Sequence, residues 1–167
     1  RRSCSFPAFP DPCCTNVDDA AADGISLARR NSGGGAVFLD KGNINFSIIS
    51  TFDENALNSY DEVLDPVIDM LHSLHVPATK RNKSDITILD NKISGNAQII
   101  KDERIIHHGT LLFDADLKKL KKYLKSDSSS YSSKSTKSVK SRVTNIRESV
   151  IVFRLSPDMP SNILYPL

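Results

Sequence analysis

A chain of 167 residues that is 39% hydrophobic and 25% charged, with no tryptophan, has the balance of one soluble globular domain with a real core. No uninterrupted apolar run approaches the ~18 residues that span a bilayer, and Cys4, Cys13 and Cys14, crowded at one end, lack the even spacing of a secreted disulfide framework. The net charge of +2 hides a division, because residues 53–69 hold six acids and no Lys or Arg, whereas residues 118–147 hold ten bases against Asp127.

Residues 1–15 have no apolar core of a secretory signal and read as an atypical leading segment. Asn16–Gly24, acidic and alanine-rich, predicts a short helix stopped by Gly24. Ile25–Ala28 then reads as a strand delivering Arg29 and Arg30 to Asn31-Ser32-Gly33-Gly34-Gly35. Three consecutive glycines let backbone turn sharply and lie against a ligand. Successive N–H groups in such a loop can form an anion-binding nest, to which the two arginines add charge. The loop therefore reads either as a site for a phosphate-bearing or carboxylate ligand or as a plain tight turn. It matches neither G-x-x-x-x-G-K-[ST] nor a helix-opening G-x-G-x-x-G. Ala36–Leu39 and Ile44–Ile49 follow as predicted strands, with Ile44, Phe46 and Ile48 on one face.

Thr51-Phe52-Asp53-Glu54 has capping-box spacing and opens the longest helical pattern, in which Leu57, Val63 or Leu64, Val67 or Ile68, Leu71 and Leu74 form an apolar stripe. Pro66 inside that stripe is expected to kink or split the helix. His72 and His75 lie one turn apart, but the sequence places no third ligand, so no metal site is assigned. Asp85–Asp90, Lys92–Ile100 and Arg104–Phe113 read as an antiparallel meander. Asp114 is placed to cap a second helix, with Leu117, Leu120 and Leu124 inward and the lysines outward. Ser126–Ser138 reads as a serine-rich mobile loop and Val139–Ile146 as a returning strand or extended segment.

Arg29-Arg30-Asn31-Ser32-Gly33-Gly34-Gly35-Ala36-Val37-Phe38 followed by Gly42-Asn43-Ile44-Asn45-Phe46 resembles the signature of lipoate–protein ligases. Asp85-Ile86 with Asp90-Asn91-Lys92-Ile93-Ser94-Gly95-Asn96-Ala97, then His107-His108-Gly109-Thr110, agree in the same order, later joined by Ser138–Asn145. The resemblance implies a catalytic domain over 16–148, followed by an atypical segment over 149–167. It also implies an α+β fold: a mixed, largely antiparallel sheet with helices packed mainly on one side. Family members carry further strands ahead of this motif, which the present chain is expected to lack. By resemblance, Lys92 contacts acyl group and adenylate. A lysine there would neutralise a carboxylate meeting an α-phosphate. The same resemblance lines the acyl and adenylate pocket with Arg29, Arg30, Ser32, Gly33, Gly34, Gly35, Ala36 and Val37. Asn43 and Asn45 either hydrogen-bond nucleotide or hold the loop, and Asp85 either serves Mg²⁺ or adenosine or caps a strand. Ser94 and Gly95 stand beside Lys92. Of His107 and His108, adjacent on a strand, at most one points into a given pocket, and His108 is taken as the binding residue.

The implied activity joins lipoate to ATP, with Mg²⁺, as lipoyl-adenylate, and then transfers the acyl group to a lysine of a 2-oxoacid dehydrogenase or glycine-cleavage acceptor domain. The basic 118–147 tract then attracts an acidic acceptor; nucleic acid binding finds thin support in Tyr123 and Tyr131 alone. No nucleic acid or membrane partner is assigned, and the expected compartment is the cytoplasm, or the mitochondrion in a eukaryote. Leu39 departs from the family's usual His. A same-superfamily lipoyl or octanoyl transferase often uses a cysteine nucleophile, which this chain lacks after Cys14. The remaining alternative is a non-catalytic lipoyl- or nucleotide-binding remnant.

Overall fold

A computed structural model describes residues 15–52, 60–124 and 141–154, the last four by backbone alone. Its elements in chain order are α1 (Val17–Ala22), β1 (Asn43–Thr51), α2 (Asp61–Ser73), β2 (Thr79–Arg81), β3 (Asp85–Ile88), β4 (Asn91–Lys101), β5 (Arg104–Leu112), α3 (Leu117–Tyr123) and α4 (Ile146–Arg154). The strands form one sheet in the order β1-β5-β4-β3-β2, with every neighbouring pair antiparallel. A single parallel bridge, Lys92 to Val143, adds an extended segment. The architecture is the expected α+β one.

The meander follows from its turns. Leu89-Asp90 joins β3 to β4 and Asp102-Glu103 joins β4 to β5, all four residues at positive φ. Two-residue turns of that hand match the twist of the strands they connect. Register then sorts the side chains. Leu111, Gly109, His107 and Ile105 of β5 face the same way as Ser94, Asn96, Gln98 and Ile100 of β4. On this face Leu64 and Leu71 of α2 and Ile146 of α4 join Ile86, Ile88, Ile93 and Leu111 in the main core, with Phe46 and Tyr60 against it. Asn96 and Phe46 leave no room above residue 109: a Cβ there would fall 1.9 Å from Asn96 Oδ1 and 2.5 Å from Phe46 Cζ.

Several local expectations give way. Ile25–Ala28 and Ala36–Leu39 are not strands, because no neighbouring strand among the described residues gives their backbones a ladder. Instead Ile25, Leu27 and Phe38 pack in a satellite core with Ala20, Leu120, Tyr123 and Leu124. Helix α2 runs through Pro66 without a break, and it begins at Asp61, so the Thr51 capping box does not adjoin it; residues 53–59 lie outside the described residues. The cap of α3 is Asp116, whose carboxylate accepts from Lys118 N and Lys119 N, while Asp114 pairs with Arg147. The segment near Val143 makes its one bridge and then turns into α4, a helix that its amphipathic Ile146–Arg154 run supports. The Ser126–Ser138 stretch lies outside the described residues. Among the described residues, no helix is long and apolar enough to cross a membrane.

Candidate active site

The sheet face opposite α2 gathers Lys92, Asp85, Gly95 and His108 among the expected site residues. Asp85 of β3 lies across from Gly95 of β4, and Gly95 from Thr110 of β5. Lys92 should alternate away from them, since it is three residues from Gly95. A bulge corrects this: Ile86 pairs Ser94 and Thr87 pairs Lys92, so Ile93 is the extra residue, fully buried in the core. Lys92 is thereby turned onto the face of Asp85, and its Nζ lies 2.6 Å from Asp85 Oδ1. Its Cε and Nζ run 3.2 Å from where a Gly95 Cβ would sit, so the missing side chain is the lysine's path. Both groups are mostly buried. Backbone bonds from Lys92 N to Arg142 O and from Thr144 N to Lys92 O fix the lysine's base.

In the next row along the same face stands His108, whose Nε2 is 2.6 Å from Ser32 Oγ in the glycine loop. This contact, across 76 positions of sequence, pins the loop to the sheet. Burial first, and the nearby Arg30 charge second, hold the His108 imidazole below its usual range. Arg30 organises the loop from within. Its Nε donates to Ser32 Oγ at 3.1 Å, and its Nη2 donates to Gly33 O at 2.8 Å and Gly35 O at 2.6 Å. Gly34, at φ +98°, brings the chain so close that a Cβ would meet Arg30 Nη2 at 2.8 Å. The guanidinium is thus spent on loop carbonyls rather than added to an N–H nest. No N–H from Gly33 to Phe38 donates to a group of the described residues. Arg29, Ala36 and Val37 are exposed beside this loop.

Beyond the loop, Asp40 and Asn43 build a turn. Asp40 Oδ1 accepts from Gly42 N, Asn43 Oδ1 accepts from Asp40 N, and Asp40 Oδ2 accepts from Asp116 N. Asn43 thereby braces the turn that follows the loop. Ser94 turns to the core face, buried, where Asn96 Nδ2 donates to it, so of the Ser94-Gly95 pair only Gly95 adjoins Lys92 with its open side. His107 likewise faces the core. Gln98 Nε2 lies 3.3 Å from His107 Nδ1, Tyr60 packs edge-on at 5.0 Å, and the buried Nε2 finds no partner among the described residues. Burial, then His108, pushes His107 down to about 4.

Continuing along the site face, Ala97, His108 and Ser47 make one row and Ile99, Ile106 and Ile49 the next. The Gly95 and Ile99 rows are four residues apart, about 13 Å of strand. Ile49 and Ile106 floor an open depression rimmed by Lys101, Asp102 and Arg104. These apolar residues were not singled out from sequence: alternation sorts Ile99 with Gly95, and only the bulge brings Lys92 onto that face. Leu39 is 53% exposed at the exit of the glycine loop. Among the described residues, no group of three His, Cys, Asp or Glu is arranged to hold a metal ion.

This arrangement coincides with a known sequence pattern: residues 10–156 match the lipoyl protein ligase A/B catalytic domain. The chain is 44% identical to a lipoate-protein ligase of Bacillus subtilis over 133 residues, 80% of this chain and 40% of that protein. It is 41% identical to lipoate–protein ligase 1 of Staphylococcus aureus, over 76% of this chain and 39% of that one. Among solved structures it resembles a bi-partite lipoate protein ligase of Thermoplasma acidophilum, described with its E2 lipoyl domain. The TM-score is 0.68 at 28% identity, covering 84% of this chain and 61% of that one. Lipoate-protein ligase A bound with ATP gives 0.62 at 28%, covering 81% and 55%. The chain thus spans about 40% of the length of the curated relatives it matches.

Proposed function

Because the chain belongs to the lipoyl protein ligase A/B catalytic domain family, we propose that it activates lipoate with ATP and passes the lipoyl group to a lysine of an acceptor domain. The observation that carries this reading is the convergence of Lys92, Asp85, Gly95 and the His108–Ser32 contact on one sheet face, under a glycine loop. In the first step a lipoate carboxylate oxygen attacks the α-phosphorus of ATP, and pyrophosphate leaves. The Lys92 ammonium, aimed by Asp85, offsets the negative charge that gathers between carboxylate and phosphate. N–H groups of Gly33 to Val37 receive phosphate oxygens. The alkyl chain lies over Ala97 toward Ile99, Ile106 and Ile49, a run whose length suits a medium-chain acyl group. In the second step the acceptor amine attacks the acyl carbonyl, the bond to AMP breaks, and the amine sheds a proton. No covalent enzyme intermediate is required, so catalysis rests on positioning and charge.

Mg²⁺ fits the site as a companion of the nucleotide: Asp85 is the carboxylate on this face, and a metal bound chiefly by phosphates and water needs no larger protein cage. When bound it would neutralise triphosphate charge. The reading assigns the catalytic domain to residues 16–148 and the acceptor to a 2-oxoacid dehydrogenase or glycine-cleavage protein, in the cytoplasm or the mitochondrion. The relatives' names and the ATP-bound and E2-associated neighbours support this choice of substrates and partner.

One observation favours a second reading. Leu39 sets an exposed apolar side chain at the loop exit, where the resemblance has His, and a site weakened in activation would still transfer a preformed adenylate. The test is the intact mass of an acceptor domain after incubation with the protein, lipoate, ATP and Mg²⁺, beside a tube given lipoyl-adenylate. A lipoyl gain in the first tube that Lys92→Ala abolishes supports the ligase. Gain only in the second supports a transferase. No gain in either, with the protein folded, overturns both and leaves a binding remnant.

A further inference from the structure

We propose that the lysine face of α3 is the docking surface for the acceptor protein and that it receives an acidic protein surface, an inference that rests on the transfer reaction above. Helix α3 buries Leu120, Tyr123 and the adjoining Leu124 in the satellite core. Its helical period therefore leaves Lys118, Lys119, Lys121 and Lys122 on the outer side, all exposed. Lys122 is held by Asp23, and Lys119 lies 3.9 Å from Asp116 of its own cap. Lys118 and Lys121 form no ion pair with the described residues and project uncompensated charge.

The position of this charge distinguishes it from an ordinary solvated face. The Phe38 and Tyr123 rings are 5.5 Å apart, and Asp116 N donates to Asp40 Oδ2 at 2.8 Å. Phe38 and Asp40 are the residues on which the chain leaves the glycine loop. The lysine face and the loop are therefore mounted on the same satellite core, and a protein seated on α3 is held at a fixed offset from the activated acyl group. An acceptor must present one lysine amine to that group in a defined orientation. A basic surface beside the site supplies long-range attraction for an acidic domain and aligns it during encounter.

The experiment measures binding of an unlipoylated E2 lipoyl domain to the full chain and to a Lys118→Glu/Lys121→Glu variant, at low and high salt. Lipoyl-adenylate formation is followed separately by pyrophosphate release. The expected result is affinity that falls steeply with salt for the natural chain, and about tenfold weaker, salt-insensitive binding for the variant. Pyrophosphate release stays unchanged. A Lys118→Ala/Lys121→Ala variant should shift affinity in the same direction by less, which separates charge from disturbed folding. Equal affinity of the natural and charge-reversed chains overturns the inference, as does preferential binding of duplex nucleic acid over the domain. Salt-sensitive binding without pyrophosphate release would instead defeat the ligase reading and leave the docking surface standing.

Discussion

Lys92 stands where it does because of its neighbours: a bulge at Ile93 turns it onto the candidate site face, Gly95 leaves its path open, and Asp85 ends that path. Lys92→Ala should lower pyrophosphate release at least about a hundredfold with the fold intact, the scale expected when one preorganised charge at a reacting centre is lost. Gly95→Ala should cost less, because the clash is with the flexible end of a lysine that can shift by tenths of an ångström. His107 bears on stability rather than chemistry. Buried and neutral, its folded value of about 4 lies below the ordinary 6.5, so the unfolded chain binds its proton first as pH falls. Its stabilising contribution is complete above 6.5 and is lost progressively down to about 4. The downward-shifted His108 contributes in the same direction. Denaturant midpoints across that window should fall with pH, and His107→Gln should flatten the decline. An unchanged slope in the variant would show that His107 is not the group responsible.

At the scale of elements, the glycine loop is fixed from both sides by helices that are far apart in sequence. Tyr123 OH donates to Asp23 Oδ2 at 2.6 Å, joining α3 to the end of α1, and the Lys122 and Tyr123 bonds to Asp23 hold its carboxyl below the usual range. Tyr123→Phe should cost about 1 kcal/mol of unfolding free energy, the usual net contribution of one such hydrogen bond, measured by urea denaturation. The expected side effect is weaker ATP binding, since Phe38 packs on the same ring. Sequence reading placed α1, the three meander strands and the α3 pattern, because each has a local signature of caps, turns or periodicity. It did not place β2, whose three residues are too few for an alternating pattern. It assigned strands to Ile25–Ala28 and Ala36–Leu39, because apolar content alone does not distinguish a ladder from a satellite core.

For the whole molecule, β1 is the exposed border: it pairs with β5 on one side, and no described strand lies on the other. Ile44 at 49% and Ile49 at 59% exposure make that border apolar on both faces. An apolar edge strand with no described neighbour on one side can associate with another such edge, so the protein should self-associate with rising concentration, and Ile44→Lys should suppress this in light scattering with the fold retained. The amino-acid sequence by itself determined the family, the α+β class, the meander and the residue types of the site, because ordered motifs, turn chemistry and alternation are properties of neighbouring residues. Only the tertiary structure decided how those residues are used. A one-residue bulge put Lys92 and Asp85 on one face, the pleat sent His107 to the core and His108 to Ser32, and Arg30 closed on its own loop's carbonyls. The bulge and the His108–Ser32 contact depend on strand register or on segments distant in the chain, which leave no mark in any short stretch. The Arg30 bonds, by contrast, reach only Gly33 and Gly35 and are decided by how the loop turns.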